Sequence, residues 1–368
     1  YQIACQYFAK AGMVVLVQDP IGQSERLSYY DDATGKVNIT WGTYEHNYAG
    51  SQCVFLGDSI TKYFLHDSIR AIDYLCTRPE VDPTKIGVTG CSGGGTQTCM
   101  LMLYDQRIAA AAPGLFVTNR SEIMHADVFQ DLEQIWPGMS SVGFDHEDML
   151  LSMAPKPVLV LGALFDFFPI EGLKRTTKRV ERFWDMYGEK GNLEVYISNS
   201  GHAYTLQMVK ESVKFFSRHL LGKEATVVDI TTTTLELEKL RCTKTGQVSA
   251  DFEDSRTVYY ENIDKLAEIK KHLNSISESV RKNRALEWLK SKVFNNRKTC
   301  ELNPRHSQAD ETEGLSTLHS IWWSQEGILN YGITFRDQRY MTEKIPITIA
   351  IWDGGTTKIR SHMNWIKK

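Results

Sequence analysis

The chain has 368 residues, 42% hydrophobic and 24% charged, with a formal net charge of −3. That is ordinary globular composition, enough for one large domain and a smaller one, and it lacks the basic footprint of nucleic-acid or membrane-surface binding. No apolar run reaches membrane-spanning length, and the seven cysteines, an odd number without CxxC pairs, do not describe a disulfide framework.

In chain order, Gln2–Lys10 spaces Ile3 and Phe8 like a helix that Gly12 ends. Residues 13–17 are all apolar, which predicts a parallel strand buried on both faces. The polar stretch 19–26 follows, at the strand end where open α/β sheets place ligand-contacting loops, and Gln23 there is a candidate substrate contact. An aromatic-rich connection holds Tyr29, Tyr30, Trp41, Tyr44 and Tyr48; His46 within it is a candidate for the mouth of a site, with a plain structural histidine as the alternative. Leu65, Ile69, Ile72 and Cys76 recur at helical spacing, and Pro79 and Pro83 close that helix.

Strands are then expected at residues 86–88, 108–116, 157–161 and 191–197, and a helix at 205–220 with Gly222 as its stop. Strands alternating with helices predict the α/β class, a mostly parallel sheet covered on both faces. Between the second and third of these strands, residues 117–152 form a long insertion of the kind that acts as a lid, with Trp136 a candidate substrate contact. Its cluster Asp145-His146-Glu147-Asp148 is spaced too tightly for one metal site, so neither metal nor cofactor is expected.

Beyond Gly222 the pattern changes. Thr231 to Thr234 is a β-branched run, and Ile263, Leu266, Ile269, Leu273, Ile276 and Val280 trace one amphipathic helix. Residues 303–314 read as a polar linker, 332–336 and 345–352 as strands, and 361–368 as a helix. Three regions are therefore expected: 1–222, 223–327 and 328–368.

The chemistry concentrates at Gly90-Cys91-Ser92-Gly93-Gly94, which joins a short apolar strand to a breaker-poor segment. Strand, sharp turn and helix are the context of a G-x-S-x-G nucleophile elbow. Ser92 would sit in a strained backbone with its hydroxyl in a cleft, the flanking glycines avoiding collisions, and Gly93 would offer its N–H to a developing oxyanion. Cys91 and Cys99 read as small packing residues. A serine nucleophile needs a base, and the base an orienting acid, in the chain order Ser, acid, His. Asp166 follows the strand at 157–161, with Glu171 in reserve, and His202 follows the strand at 191–197, where Gly201 would let the loop bend. Phe167, beside Asp166, is a further candidate substrate contact.

Residues 12–26 (GMVVLVQDPIGQSER), 70–75 (RAIDYL), 78–92 (RPEVDPTKIGVTGCS), Asp166-Phe167-Phe168 and Gly201-His202 resemble the large acetyl xylan esterase-like α/β-hydrolases of bacteria. The resemblance covers residues 1–222. It implies an α/β-hydrolase fold and a serine carbohydrate esterase that deacetylates xylan or related glycans outside the cytoplasm, with Ser92, Asp166 and His202 at the triad positions. Members often continue into a second hydrolase-like unit, and residues 333–368 resemble its opening, with Trp352-Asp353-Gly354-Gly355 at the place of an oxyanion loop. Against that pattern the first sheet strands and the loop with the second oxyanion donor should precede Tyr1, and losing one donor typically lowers the rate about 10²–10³-fold. A fragment of a longer chain is therefore expected, or a permuted sheet in which residues 345–352 pair beside 13–17. A serine peptidase of the prolyl-oligopeptidase kind shares the triad order, although no propeller repeat is visible. A glycan-binding scaffold without catalysis is the third reading.

Overall fold

Placement in the computed structural model is described for residues 1–128, 130–225, 230–312, 314–351 and 354–358. Helix α1 (Gln2–Lys10), a short hairpin of β1 (Tyr30–Asp31) and β2 (Lys36–Val37), α2 (Thr43–Phe55) and α3 (Thr61–Cys76) precede the main sheet. Strand and helix then alternate: β3 (Ile86–Cys91), α4 (Gly93–Tyr104), β4 (Ile108–Gly114), the short α5 (Arg120–His125) and α6 (His146–Leu151), β5 (Val158–Ala163), α7 (Ile170–Met186), β6 (Leu193–Ser198) and α8 (Leu206–Leu221).

Parallel neighbours cannot be joined by tight hairpins, so each pair in this run is separated by helix. The result is a four-stranded parallel sheet in the order β3-β4-β5-β6, with registers such as Val88↔Ala111 and Val160↔Val195. Alternate side chains of its strands feed two cores. Ala111, Val158 and Val160 pack with Leu101, Met102, Leu173 and Trp184 from α4 and α7. Ala110, Ala112, Leu159 and Leu161 pack on the other face with Phe8 of α1 and Val213 and Phe216 of α8. This is the α/β class, a parallel sheet between helical layers.

The chain divides into two compact units, Tyr1–Lys271 and His272–Lys368. The first extends past Gly222 because residues 231–251 are bonded to its N-terminal segment. The side chains of Gln6 and Gln2 accept from the backbone N–H groups of Thr233 (3.1 Å) and Leu235 (2.7 Å), and Glu25 accepts from those of Cys242 and Thr243 (2.8 Å each). Helices α9 (Val248–Asp251) and α10 (Val258–Asn274) follow. The second unit holds α11 (Glu278–Trp288) and an antiparallel sheet of β7 (Arg305–Thr312), β8 (Leu315–Gln325) and β9 (Ile328–Asp337). The turn between β8 and β9 spans residues 326–327.

Several expectations are corrected. Residues 13–17 are assigned no strand; Val14, Leu16 and Val17 are 53%, 41% and 56% exposed, and among the described residues β3 pairs with β4 alone. Residues 345–351 form no ladder either, and Trp352, Asp353 and residues 361–368 lie outside the described residues. The stripe from Ile263 to Val280 is two helices: Ser277 ends the run by accepting from the N–H of Val280 (3.4 Å) as the N-cap of α11. The supposed linker at 303–314 contains β7, whose Arg305 to Thr312 pair along β8. The insertion at 117–152 is no detached lid, since Met139, His146, Met149 and Leu150 lie in the core beneath α7. All seven cysteines are free thiols. Among the described residues no helix is long and apolar enough to cross a membrane.

Candidate active site

Ser92 follows β3 and caps α4 with φ 58° and ψ −116°, a positive-φ backbone that a non-glycine residue adopts only when its surroundings hold it there. Two contacts do so: its N–H donates to the carbonyl of Gly114 (2.9 Å) and its carbonyl accepts from the N–H of Thr96 (2.9 Å). The glycines serve close approach. A β-carbon on Gly90 would stand 2.5 Å from the backbone of Gly94, and one on Gly95 2.3 Å from the carbonyl of Gly114. One on Gly94 would meet nothing within 4 Å, so the indispensable downstream glycine is Gly95 and not the motif's Gly94. Gly93 opens α4, and its N–H is one of the first-turn donors with no intrahelical acceptor.

Asp166 and His202 lie just past β5 and β6, at the carboxyl ends of strands parallel to β3, so all three residues share one rim of the sheet. His202 Nδ1 donates to Asp166 Oδ1 at 2.8 Å and stands 3.0 Å from Oδ2. The aspartate side chain is 2% exposed and the imidazole 24%. The N–H of Phe168 donates to Asp166 Oδ1 (3.0 Å), fixing the carboxylate from behind. The two loops are also joined through backbone bonds from Leu164 N to Ser198 O and from Phe165 N to Ser200 O, each 3.0 Å. Phe167 lies over the imidazole, with ring centroids 4.3 Å apart. Cys91, beside Ser92, has its thiol pushed up to about 11 by burial and by the charge of Asp166. Among the described residues, Ser92 and His202 share no hydrogen bond; such contacts are often loose before substrate binds.

Gly201 has neither a left-handed φ nor a close contact, its nearest neighbour being the Phe165 carbonyl at 3.8 Å, so the bend it was expected to permit needs no glycine. Glu171, the reserve acid, is exposed in the first turn of α7. Gln23 is half-buried in a turn where its carbonyl accepts from the N–H of Arg26 (2.9 Å). Trp136 packs on Phe144 and lines an apolar groove with Leu65, Met100, Leu103 and Tyr104, toward the far end of α4 from Ser92. His46 is not at an open mouth: on α2 it is 2% exposed, its Nε2 lies 2.9 Å from the carbonyl of Ile21, and its ring meets Phe64 edge-on. His146 is fully buried and stacked on Phe116.

Three features escaped the sequence reading. Tyr204 anchors the histidine loop, its hydroxyl lying 3.0 Å from Thr89 Oγ1 and 3.2 Å from Ser212 Oγ. Asp131 and Glu133 bring carboxylates to His46, and Glu133 reaches the elbow itself: a β-carbon on Gly93 would lie 2.5 Å from Glu133 Oε1.

No family model matches the chain. Among curated proteins it is 27% identical over 163 residues to YtaP of Bacillus subtilis (strain 168), a provisionally named hydrolase, covering 42% of this chain and 53% of that protein. It is 26% identical over 184 residues to the 4-O-methyl-glucuronoyl methylesterase of Phanerochaete carnosa (strain HHB-10118-sp), covering 42% of this chain and 45% of that one. A solved structure, methylesterase BT1017, aligns with a TM-score of 0.45 at 22% identity over 56% of this chain and 47% of its own. The chain thus spans about half the length of the curated relatives it matches.

Proposed function

We propose that this chain carries the catalytic machinery of a serine ester hydrolase acting on an esterified carbohydrate. The observation that carries the reading is the bonded His202–Asp166 pair on the same sheet rim as Ser92 in its positive-φ elbow. The ionised carboxylate of Asp166 only accepts, so it holds the proton of His202 on Nδ1 and leaves Nε2 free as a base. Nε2 takes the proton of the Ser92 hydroxyl as the oxygen attacks the ester carbonyl. The N–H of Gly93, at the positive end of α4, donates to the oxyanion that forms. Collapse returns the proton from His202 to the leaving alcohol and leaves an acyl-Ser92. Water, deprotonated by the same imidazole, then releases the acid.

The names of the two curated relatives, a hydrolase and a glucuronoyl methylesterase, support ester hydrolysis on sugars. The resemblance to acetyl xylan esterase-like proteins favours an acetyl group. The test is turnover of p-nitrophenyl acetate, acetylated xylan and a methyl glucuronate ester by the chain and its Ser92→Ala variant, with acetate and methanol measured separately. Acetate release that disappears in the variant is expected. Equal turnover by both proteins would overturn the proposal, and methanol without acetate would reassign the ester.

A further inference from the structure

We propose that His46, Asp131 and Glu133 form a binding site for one divalent cation of the zinc class, beside the first turn of α4. The donors come from α2 and from the loop before Trp136, and the three ligand atoms, one from each residue, all lie within 4.8 Å of one another. His46 Nδ1 stands 3.4 Å from Glu133 Oε2 and 3.5 Å from Asp131 Oδ2. Zinc binds imidazole nitrogen and carboxylate oxygen at about 2.0–2.2 Å, so the edge of its tetrahedron is about 3.3–3.5 Å. The two separations from the imidazole match that edge. They are too long for the charge-assisted hydrogen bond, about 2.7–2.9 Å, that an imidazolium would make to either carboxylate.

The imidazole is also set up as a ligand. With Nε2 donating to the carbonyl of Ile21 (2.9 Å), the neutral ring carries its lone pair on Nδ1, and among the described residues that buried atom has no hydrogen-bond partner. A ring nitrogen fixed by a backbone carbonyl is how ligating histidines are oriented. The loop that carries the two acids is pinned to its surroundings as well. Asp131 Oδ1 accepts from Asn47 Nδ2 (3.1 Å), leaving Oδ2 toward the imidazole; the N–H of Leu132 donates to Asn47 Oδ1 (3.0 Å); Thr61 Oγ1 donates to the carbonyl of Glu133 (2.9 Å). The side chains of His46, Glu133 and Asp131 are 2%, 5% and 10% exposed. Two carboxylates this buried and this close to one another are costly unless a cation joins them. Because Glu133 Oε1 sits against Gly93, a cation here would also cancel negative charge beside the proposed oxyanion donor. That consequence rests on the esterase reading; the metal site does not.

The experiment strips the full chain with a chelator, dialyses it against Zn²⁺ and counts metal by mass spectrometry, with Co²⁺ substituted for the visible spectrum. The expected result is one Zn²⁺ per chain, a cobalt spectrum without a thiolate charge-transfer band, and a rise in Tm on loading. His46→Gln and Glu133→Gln should each weaken binding by about 100-fold while far-UV circular dichroism is unchanged. No uptake, uptake that survives both substitutions, or a thiolate band from the free cysteines would overturn the proposal. Should both variants fail to fold, the wild-type cobalt spectrum and the loading-dependent Tm decide alone. Fluorophosphonate labelling of Ser92 in the stripped protein tests the esterase reading separately, so the failure of one is distinguishable from that of the other.

Discussion

Two imidazole–carboxylate groups flank the nucleophile elbow, and they are built to opposite specifications. At the rim, His202 is partly exposed and bonded at 2.8 Å to a single carboxylate that a backbone N–H also holds. Inside, His46 is sealed and stands 3.4 and 3.5 Å from two carboxylates, bonded to neither. A proton relay needs one short contact and one nitrogen facing the cleft. A gap of equal width to two acids, with the ring turned by a backbone carbonyl, serves an occupant between them. Similar residue types therefore have different uses, and distance separates them where composition does not.

The sharpest way to break this contrast is at the nucleophile. Ser92→Ala should lower kcat by about 10⁶-fold with little change in Tm, read by ester hydrolysis and thermal melting; serine knockouts in a comparable triad have that size. Asp166→Asn should cost about 10⁴-fold in kcat with KM nearly constant, since the wrong imidazole tautomer is then held. An unchanged kcat would mean that the rim pair is structural and the contrast false.

Smaller effects concern the frame. Gly95→Ala should destabilise by about 1–3 kcal/mol in chemical denaturation, because a β-carbon there meets the Gly114 carbonyl at 2.3 Å. Gly94→Ala, with open space around it in the same helix, should be neutral or stabilise by up to about 1 kcal/mol. A pH-dependent effect is expected at a third histidine, His146, which has neither arrangement. Burial is the main cause of its pKa falling to about 4; Arg120 adds to the fall and Asp145 opposes it. Its folded value lies below the unfolded one, about 6.5, so the unfolded chain binds more protons in between. The stability this residue contributes is present above pH 6.5 and lost as pH falls toward 4. His146→Gln should flatten the pH dependence of unfolding in that window by up to about one proton.

Much of this was legible in the sequence because the end of an apolar strand marks the sheet rim where the next residues lie. Asp166 and His202 could be chosen from the apolar runs before them, and those runs are β5 and β6. The same rule failed at residues 13–17, since apolarity states what a strand would bury but not whether a neighbour is there to pair with it. It failed oppositely at Arg305–Thr312, where a polar run is held in place by its partner β8. Ser277 was overlooked because a capping hydroxyl inside a continuous apolar stripe does not disturb the stripe. The His46 cluster was out of reach, as its donors are distant in sequence and meet only when the 131–133 loop is pinned to α2 and α3.

The backbone bonds from Leu164 to Ser198 and from Phe165 to Ser200 join the loop carrying the acid to the loop carrying the base. The proposed acid and base are therefore tied to each other directly, and to the elbow through Gly114, which accepts from Ser92 and pairs with Leu161 of β5. A substitution along the β5–β6 edge is then expected to reach the proposed triad without touching any of its three side chains.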